Sequence, residues 1–142
     1  MEPTTLPIQT IQREINKMEL EHIALTITDY NEIKQFYREV LGMLEIKNFI
    51  LDKDLAGDIF GIEEETKIFL MQKDKLLLEI FLNTKQLNQC FNHICISTSH
   101  REDMVKRAIQ HSYKCIRLKR QNSDMIFISD HSGNMLEVKQ RN

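Results

Sequence analysis

Two histidines and two glutamates fall at matched points of this 142-residue chain: His22 and His93 open alternating segments, and Glu79 and Glu137 sit inside Leu-Glu-Ile and Leu-Glu-Val. Side chains alternate across a strand, so residues sharing parity with these four share one side of their sheet. The opposite side is apolar throughout, with Ile23, Leu25 and Ile27, then Leu78, Ile80 and Leu82, then Ile94 and Ile96, then Leu136 and Val138. Such a surface packs beneath helices. The four candidates are left on the other face, mid-sheet, where a carboxylate is costly to bury without compensation. Two imidazoles and two carboxylates form a mixed nitrogen and oxygen set suited to one divalent ion (Zn, Ni, Co, Fe or Mn), with two octahedral positions left for substrate or water. Any one of the four alone reads as an ordinary strand residue; the symmetric set is what points to a metal.

The elements that must position them can be read in order. A strand over Leu20 to Ile27 is followed by a helix in which Asp29 and Glu32 have capping-box spacing and Ile33, Phe36, Tyr37, Val40 and Leu41 mark one face before Gly42. Then come Leu44 to Leu51, a looser stretch around Gly57 and Gly61, and strands near Lys67 to Gln72 and Leu76 to Leu82, separated by Lys73, Asp74 and Lys75. The second half repeats this: a strand at Phe91 to Thr98, a helix with Ser99 and Glu102 at capping-box spacing and Met104, Val105, Ala108 and Ile109 inward, and strands near Tyr113 to Lys119, Met125 to Ser129 and Asn134 to Lys139. Glu21-His22-Ile23-Ala24-Leu25-Thr26 echoes Asn92-His93-Ile94-Cys95-Ile96-Ser97, and an internal duplication accounts for both order and sequence. The expected fold class is α+β: two tandem βαβββ modules, 19–83 and 90–140, in one domain over residues 19–142. Their curved mixed sheets enclose a metal-binding cleft, with the helices on the outside. If the non-helical faces meet, within one chain or by exchange between two, the four candidates converge. That face also offers Phe69, Met71, Leu77, Phe81, Cys95, Met125, Phe127 and Met135, either as apolar walls for a small molecule or as packing between sheets or subunits. Residues 1–18, with Ile8, Ile11, Ile15 and Met18, suit a short amphipathic helix or a loosely attached extension.

Residues 19–140 resemble the vicinal oxygen chelate superfamily, which includes glyoxalase I, methylmalonyl-CoA epimerase, extradiol dioxygenases and antibiotic-resistance proteins. The resemblance is carried by His22-Ile23-Ala24-Leu25 with Asp29, Phe36-Tyr37-Arg38-Glu39-Val40-Leu41-Gly42-Met43, Leu77-Leu78-Glu79-Ile80, Asn92-His93-Ile94-Cys95 and Asp130-His131-Ser132-Gly133-Asn134-Met135-Leu136-Glu137. It implies metal ligands at His22, Glu79, His93 and Glu137, the four already selected by parity, and a homodimer. It further implies a lyase or isomerase in which the metal stabilises an enediolate or enolate and Glu79 or Glu137 acts as the base, with Glu137 slightly favoured. A non-catalytic binding or antibiotic-resistance domain is the alternative. A dioxygenase is a further one, disfavoured because a fourth carboxylate crowds the place that oxygen needs. Thr26 stands where glyoxalase I enzymes carry an arginine in contact with glutathione, so glutathione does not carry over.

Composition narrows the remaining classes. A net charge of −2, with 19 basic and 21 acidic residues, provides no footprint for nucleic acid. No apolar run has the length of a membrane span. Three cysteines (Cys90, Cys95 and Cys115) without CxxC spacing, and no secretory signal, point to the cytoplasm. His100, His111 and His131, in a helix start, a helix end and a turn, read as solvent-facing, and Cys95 reads as inert packing. The basic stretch Lys114, Arg117, Lys119 and Arg120 reads as a solvated strand. The expected partner is a small-molecule substrate, and no organic cofactor is expected.

Overall fold

The computed structural model describes residues 19–84 and 91–142. The N-terminal extension and Cys90 lie outside them. The elements run β1 (Ile23–Ile27), α1 (Ile33–Val40), β2 (Leu44–Leu51), α2 (Lys53–Phe60), β3 (Thr66–Lys73), β4 (Leu76–Leu82), β5 (Ile94–Thr98), α3 (Arg101–Gln110), β6 (Lys114–Lys119), β7 (Asp124–Ser129) and β8 (Met135–Gln140). They build two four-stranded mixed sheets, ordered β1-β4-β3-β2 and β5-β8-β7-β6. In each, the first strand pairs parallel with the last and the remaining pairs are antiparallel. This is the α+β architecture of two curved, unclosed sheets. Among the described residues no helix is long and apolar enough to cross a membrane.

The apolar stripes decide where the helices lie. Ile33, Phe36, Tyr37 and Val40 of α1, and Met104, Val105 and Ala108 of α3, are buried against the greasy faces of the sheets. One cluster joins them to Leu78, Ile80, Ile126, Ile128, Leu136 and Val138. Each large side chain fully withdrawn from water contributes about 1.5 to 3 kcal/mol, so this shared core is the main cohesive term. α1 is wound wide over its whole length, Ile33–Val40, as a π-helix, and it closes with the Leu41 amide donating to the Phe36 carbonyl (2.9 Å). Gly42 ends it at φ +77°, a conformation that strains any residue bearing a Cβ. Arg107 of α3 donates from Nε and Nη2 to the Val40 carbonyl (3.2 and 3.1 Å), satisfying a helix end from across the module boundary.

Neither expected capping box forms. The α1 cap residue, Glu32, makes no side-chain capping bond, and its buried carboxylate instead accepts from the Tyr113 hydroxyl (3.0 Å) and the His131 amide (2.8 Å) of the second module. At α3, Glu102 is drawn to Arg117 (2.6 Å), while the Gln140 side chain accepts from the Arg101 amide (3.3 Å). Burial holds the Glu32 carboxyl above its ordinary value of 4.5, and the Asp130 charge adds to the rise against the hydrogen bond from Tyr113. The folded protein therefore keeps this proton to higher pH than the unfolded chain does. Stability from this group is full below pH 4.5 and declines as pH climbs from there through the raised value. Glu32→Gln retains an acceptor without the titration. Urea unfolding of both proteins from about pH 4 upward is expected to show wild type losing ground to the variant across that interval; parallel curves would exclude this role for Glu32.

A second seam is built by the turn from Asp130 to Asn134. The Asp130 carboxylate accepts from the Tyr37 hydroxyl (2.8 Å), the Ser132 amide (3.0 Å), the Asn134 amide (2.8 Å) and Asn134 Nδ2 (2.8 Å). Asn134 Nδ2 also donates to the Thr26 carbonyl on β1 (2.7 Å), and Ser132 Oγ accepts from the Thr28 amide (2.8 Å). Burial, and next the Asp130 charge, push the Tyr37 phenol well above its ordinary pKa, so it remains a donor.

The outer edges of the two sheets differ. β6 presents Lys114, Arg117 and Lys119, charges that discourage pairing with a further strand. β2 carries a bulge near Ile46 but exposes Leu44, Ile46, Phe49 and Ile50.

Candidate functional site

The same register positions each candidate pair. On β1, Ala24 is the partner of Glu79, and on β5, Cys95 is the partner of Glu137. Each histidine stands two residues before that partner, on the same face. His22 Nε2 approaches Glu79 Oε2 to 3.5 Å, with the side chains 44% and 21% exposed. His93 Nε2 approaches Glu137 Oε2 to 3.9 Å, at 43% and 16%. His93 Nδ1 lies 2.9 Å from the Phe91 carbonyl, which can only accept, so Nδ1 carries a proton and Nε2 is the ring nitrogen that faces Glu137. Phe127 stands edge-on to this ring at 6.2 Å.

The structure thus brings His22 together with Glu79 and His93 together with Glu137. It does not bring the pairs together: among the described residues no three His, Cys, Asp or Glu side chains share one point. Of the two arrangements the sequence leaves open, a cleft within one chain or one shared between two, the described residues of one chain form only the two separate pairs. Among the described residues β1 and β5 are each the edge of their own sheet and do not pair with one another.

Leu77, Phe81, Cys95, Phe127 and Met135 share the site face, since their register partners alternate with the core residues. Met125 follows Phe127 by parity. Phe69 and Met71 do not. They pair with Ile80 and Leu78 and lie in the core, on the helix side, because the hairpin turn has two residues (Lys73 pairs with Leu76) rather than three. Cys95 is exposed rather than packed inside; desolvation, then the hydrogen bond and charge of Glu137, raise its thiol above the ordinary value, which keeps it un-ionised. Of the other histidines, His100 and His131 are exposed, as expected of solvent-facing residues, and His111 is half-buried. His111 meets Glu39 at 3.1 Å, His100 lies 3.9 Å from Asp103, and His131 stacks on Tyr113 with ring centroids 4.2 Å apart.

One helix over the site face is missing from the expected order of elements. Asp52 caps α2 by accepting from the Leu55 amide (2.8 Å), and Gly61 at φ +70° ends it. An Asp followed eight residues after by phenylalanine and glycine is the available signal; Gly57 within the segment obscures it. Through α2, Ala56 is buried and the Phe60 ring meets Phe81 edge-on at 5.4 Å, on the same face as Glu79.

Comparison with known proteins agrees with this architecture. The structure is similar to that of FosX, the genomically encoded fosfomycin resistance protein of Listeria monocytogenes, at a TM-score of 0.67, with 16% identity over 88% of this chain and 92% of that one. A glyoxalase family protein from Enterococcus faecalis gives 0.64 at 19% identity (87% and 98% covered). The trypanothione-dependent glyoxalase I of Leishmania major gives 0.64 at 16% (87% of each chain). No curated protein matches in sequence. The profile of one family, described as the Glyoxalase/Bleomycin resistance protein/Dioxygenase superfamily, matches residues 19–138, and the chain belongs to that superfamily.

Proposed function

We propose that this protein is a metal-dependent lyase or isomerase of glyoxalase type, active as a homodimer, with each metal site composed of His22 and Glu79 from one chain and His93 and Glu137 from its partner. The observation that carries this reading is the pair of duplicated His–Glu contacts, each joining the start of an edge strand (β1 or β5) to the strand paired beside it (β4 or β8). The Nε2 to Oε2 separations of 3.5 and 3.9 Å let both atoms of each pair reach a single ion at about 2.1 Å from each. The donor set of two neutral imidazole nitrogens and two carboxylates fits a divalent ion, and the Phe91 carbonyl supplies the supporting contact that orients such a histidine. Laying β5 of one chain along β1 of another places the two half-sites side by side and satisfies both sheet edges. FosX of Listeria monocytogenes, which shares the fold, has been crystallised in a mutant form with Mn(II) and a dihydroxypropylphosphonic acid.

His22, Glu79, His93 and Glu137 would hold the ion, which would supply Lewis acidity where an oxygenated carbon acid gains negative charge on losing its proton. Glu137 is assigned as the base. It is the less exposed of the two carboxylates and lies opposite Phe127 and Cys95, where a proton can be held away from bulk water. His93 is kept in one tautomer by Phe91, and the apolar residues Phe127, Met135 and Phe81 exclude water from the reacting carbon.

Protein purified without chelator should carry close to one divalent ion per chain by elemental analysis, and Glu137→Ala should lose it, with affinity falling on the order of a hundredfold or more. Turnover is expected among 2-oxoaldehyde hemithioacetals or hydroxyacyl thioesters. A metal-free protein whose stability is unchanged after both carboxylates are removed would contradict the assignment.

A further inference from the structure

A hollow of about 140 Å³ lies between α2 and the first sheet. Ala24, Thr26 and Phe81 form its floor, and Leu51, Ala56 and Phe60 its wall. The floor starts beside the His22–Glu79 half-site, because Ala24 is the register partner of Glu79 and Thr26 that of Phe81. One such step along a strand is ~7 Å, so a group seated there is within reach of a molecule held at Glu79. Among the described residues no titratable side chain lines the hollow, which excludes a charged guest. Its size is close to the ~150 Å³ of an apolar cavity that accepts benzene. The second module has no counterpart among the described residues, since β6 and β7 follow one another without a helix.

We propose that this hollow takes a compact, uncharged alkyl group of about four to six carbons carried next to the oxygen pair of the substrate. The inference rests on the metal site assigned above, and it names the substrate class: an α-oxygenated carbon acid with a short apolar side chain.

Alkyl hydroxamic acids present two vicinal oxygens on a variable chain, and their binding to the Co(II)-loaded full-length protein can be followed by the visible spectrum of the metal. From acetohydroxamate to pentanohydroxamate the affinity should rise about fourfold per methylene, and it should level off by heptanohydroxamate. Phe60→Ala, at an exposed position, should move the plateau to longer chains. Ala56→Leu should flatten the series while leaving acetohydroxamate unaffected. A flat series in wild type, with acetohydroxamate binding, overturns the hollow as a subsite and leaves the metal assignment standing. Failure of every hydroxamate overturns the metal assignment instead. In that event the metal-free protein still decides the matter: 3-methylbutanol should shift the Ala24 and Ala56 methyl resonances, and absence of any shift overturns the inference.

Discussion

Asp130→Ala is expected to cost about 3 to 5 kcal/mol of folding stability, measured as a shift of the urea midpoint at unchanged slope. The carboxylate is buried and serves four donors at 2.8 to 3.0 Å. Removing it leaves the Tyr37 hydroxyl, itself buried in the core, with no acceptor, and it frees Asn134, whose amide also holds the Thr26 carbonyl at the end of β1. The loss is thus a buried charge-assisted network rather than a surface contact, and it falls on the join between the modules. Asp130→Asn keeps one acceptor oxygen but turns an NH2 group toward existing donors, so an intermediate loss is expected. Tyr37→Phe should recover part of the loss in the Asp130→Ala background, because it removes the stranded hydroxyl. A loss below about 1 kcal/mol for Asp130→Ala would show that water replaces the network without penalty.

Mixing two inactive variants is expected to restore metal binding. His22→Ala/Glu79→Ala lacks one half-site, and His93→Ala/Glu137→Ala lacks the other. Each alone should bind no ion at micromolar concentrations. If sites are shared between chains, a heterodimer carries one intact site and one empty of ligands. Random exchange on co-expression makes half the dimers hetero, so total metal should reach about a quarter of the wild-type level. Elemental analysis after gel filtration reads this directly. A site formed within one chain predicts none at all, since both chains are then broken. The contrast is between a quarter and zero, and it does not depend on knowing the substrate.

Much of this site is legible from residue order because its logic is local. Alternation separates His22, Glu79, His93 and Glu137 from the isoleucines and leucines beside them, and the internal repeat raises four ordinary residues into a pattern. The α1 and α3 helices follow from stripes at helical spacing, and β2 and β4 from their apolar runs. What escapes is information carried by a neighbour far along the chain. Glu32 has the spacing of a capping box, yet Tyr113 and His131 claim its oxygens from beyond the module boundary. Phe69 and Met71 change face when a turn is counted as three residues instead of two, because parity propagates along the whole strand. Asp74, at φ 52°, is the residue on which that count depends. α2 is hidden by an internal glycine that weakens its periodicity. The meeting of half-sites depends on which sheet edges pair, and strand sequence does not specify a partner for an edge.

The unlike outer edges of the two sheets bear on how the protein behaves when crowded. With Lys114, Arg117 and Lys119 along β6, one end of the molecule repels an incoming strand, whereas β2 exposes Leu44, Ile46, Phe49 and Ile50 along its outer edge. Strand-by-strand addition at high concentration is therefore favoured at the outer edge of the first module over that of the second.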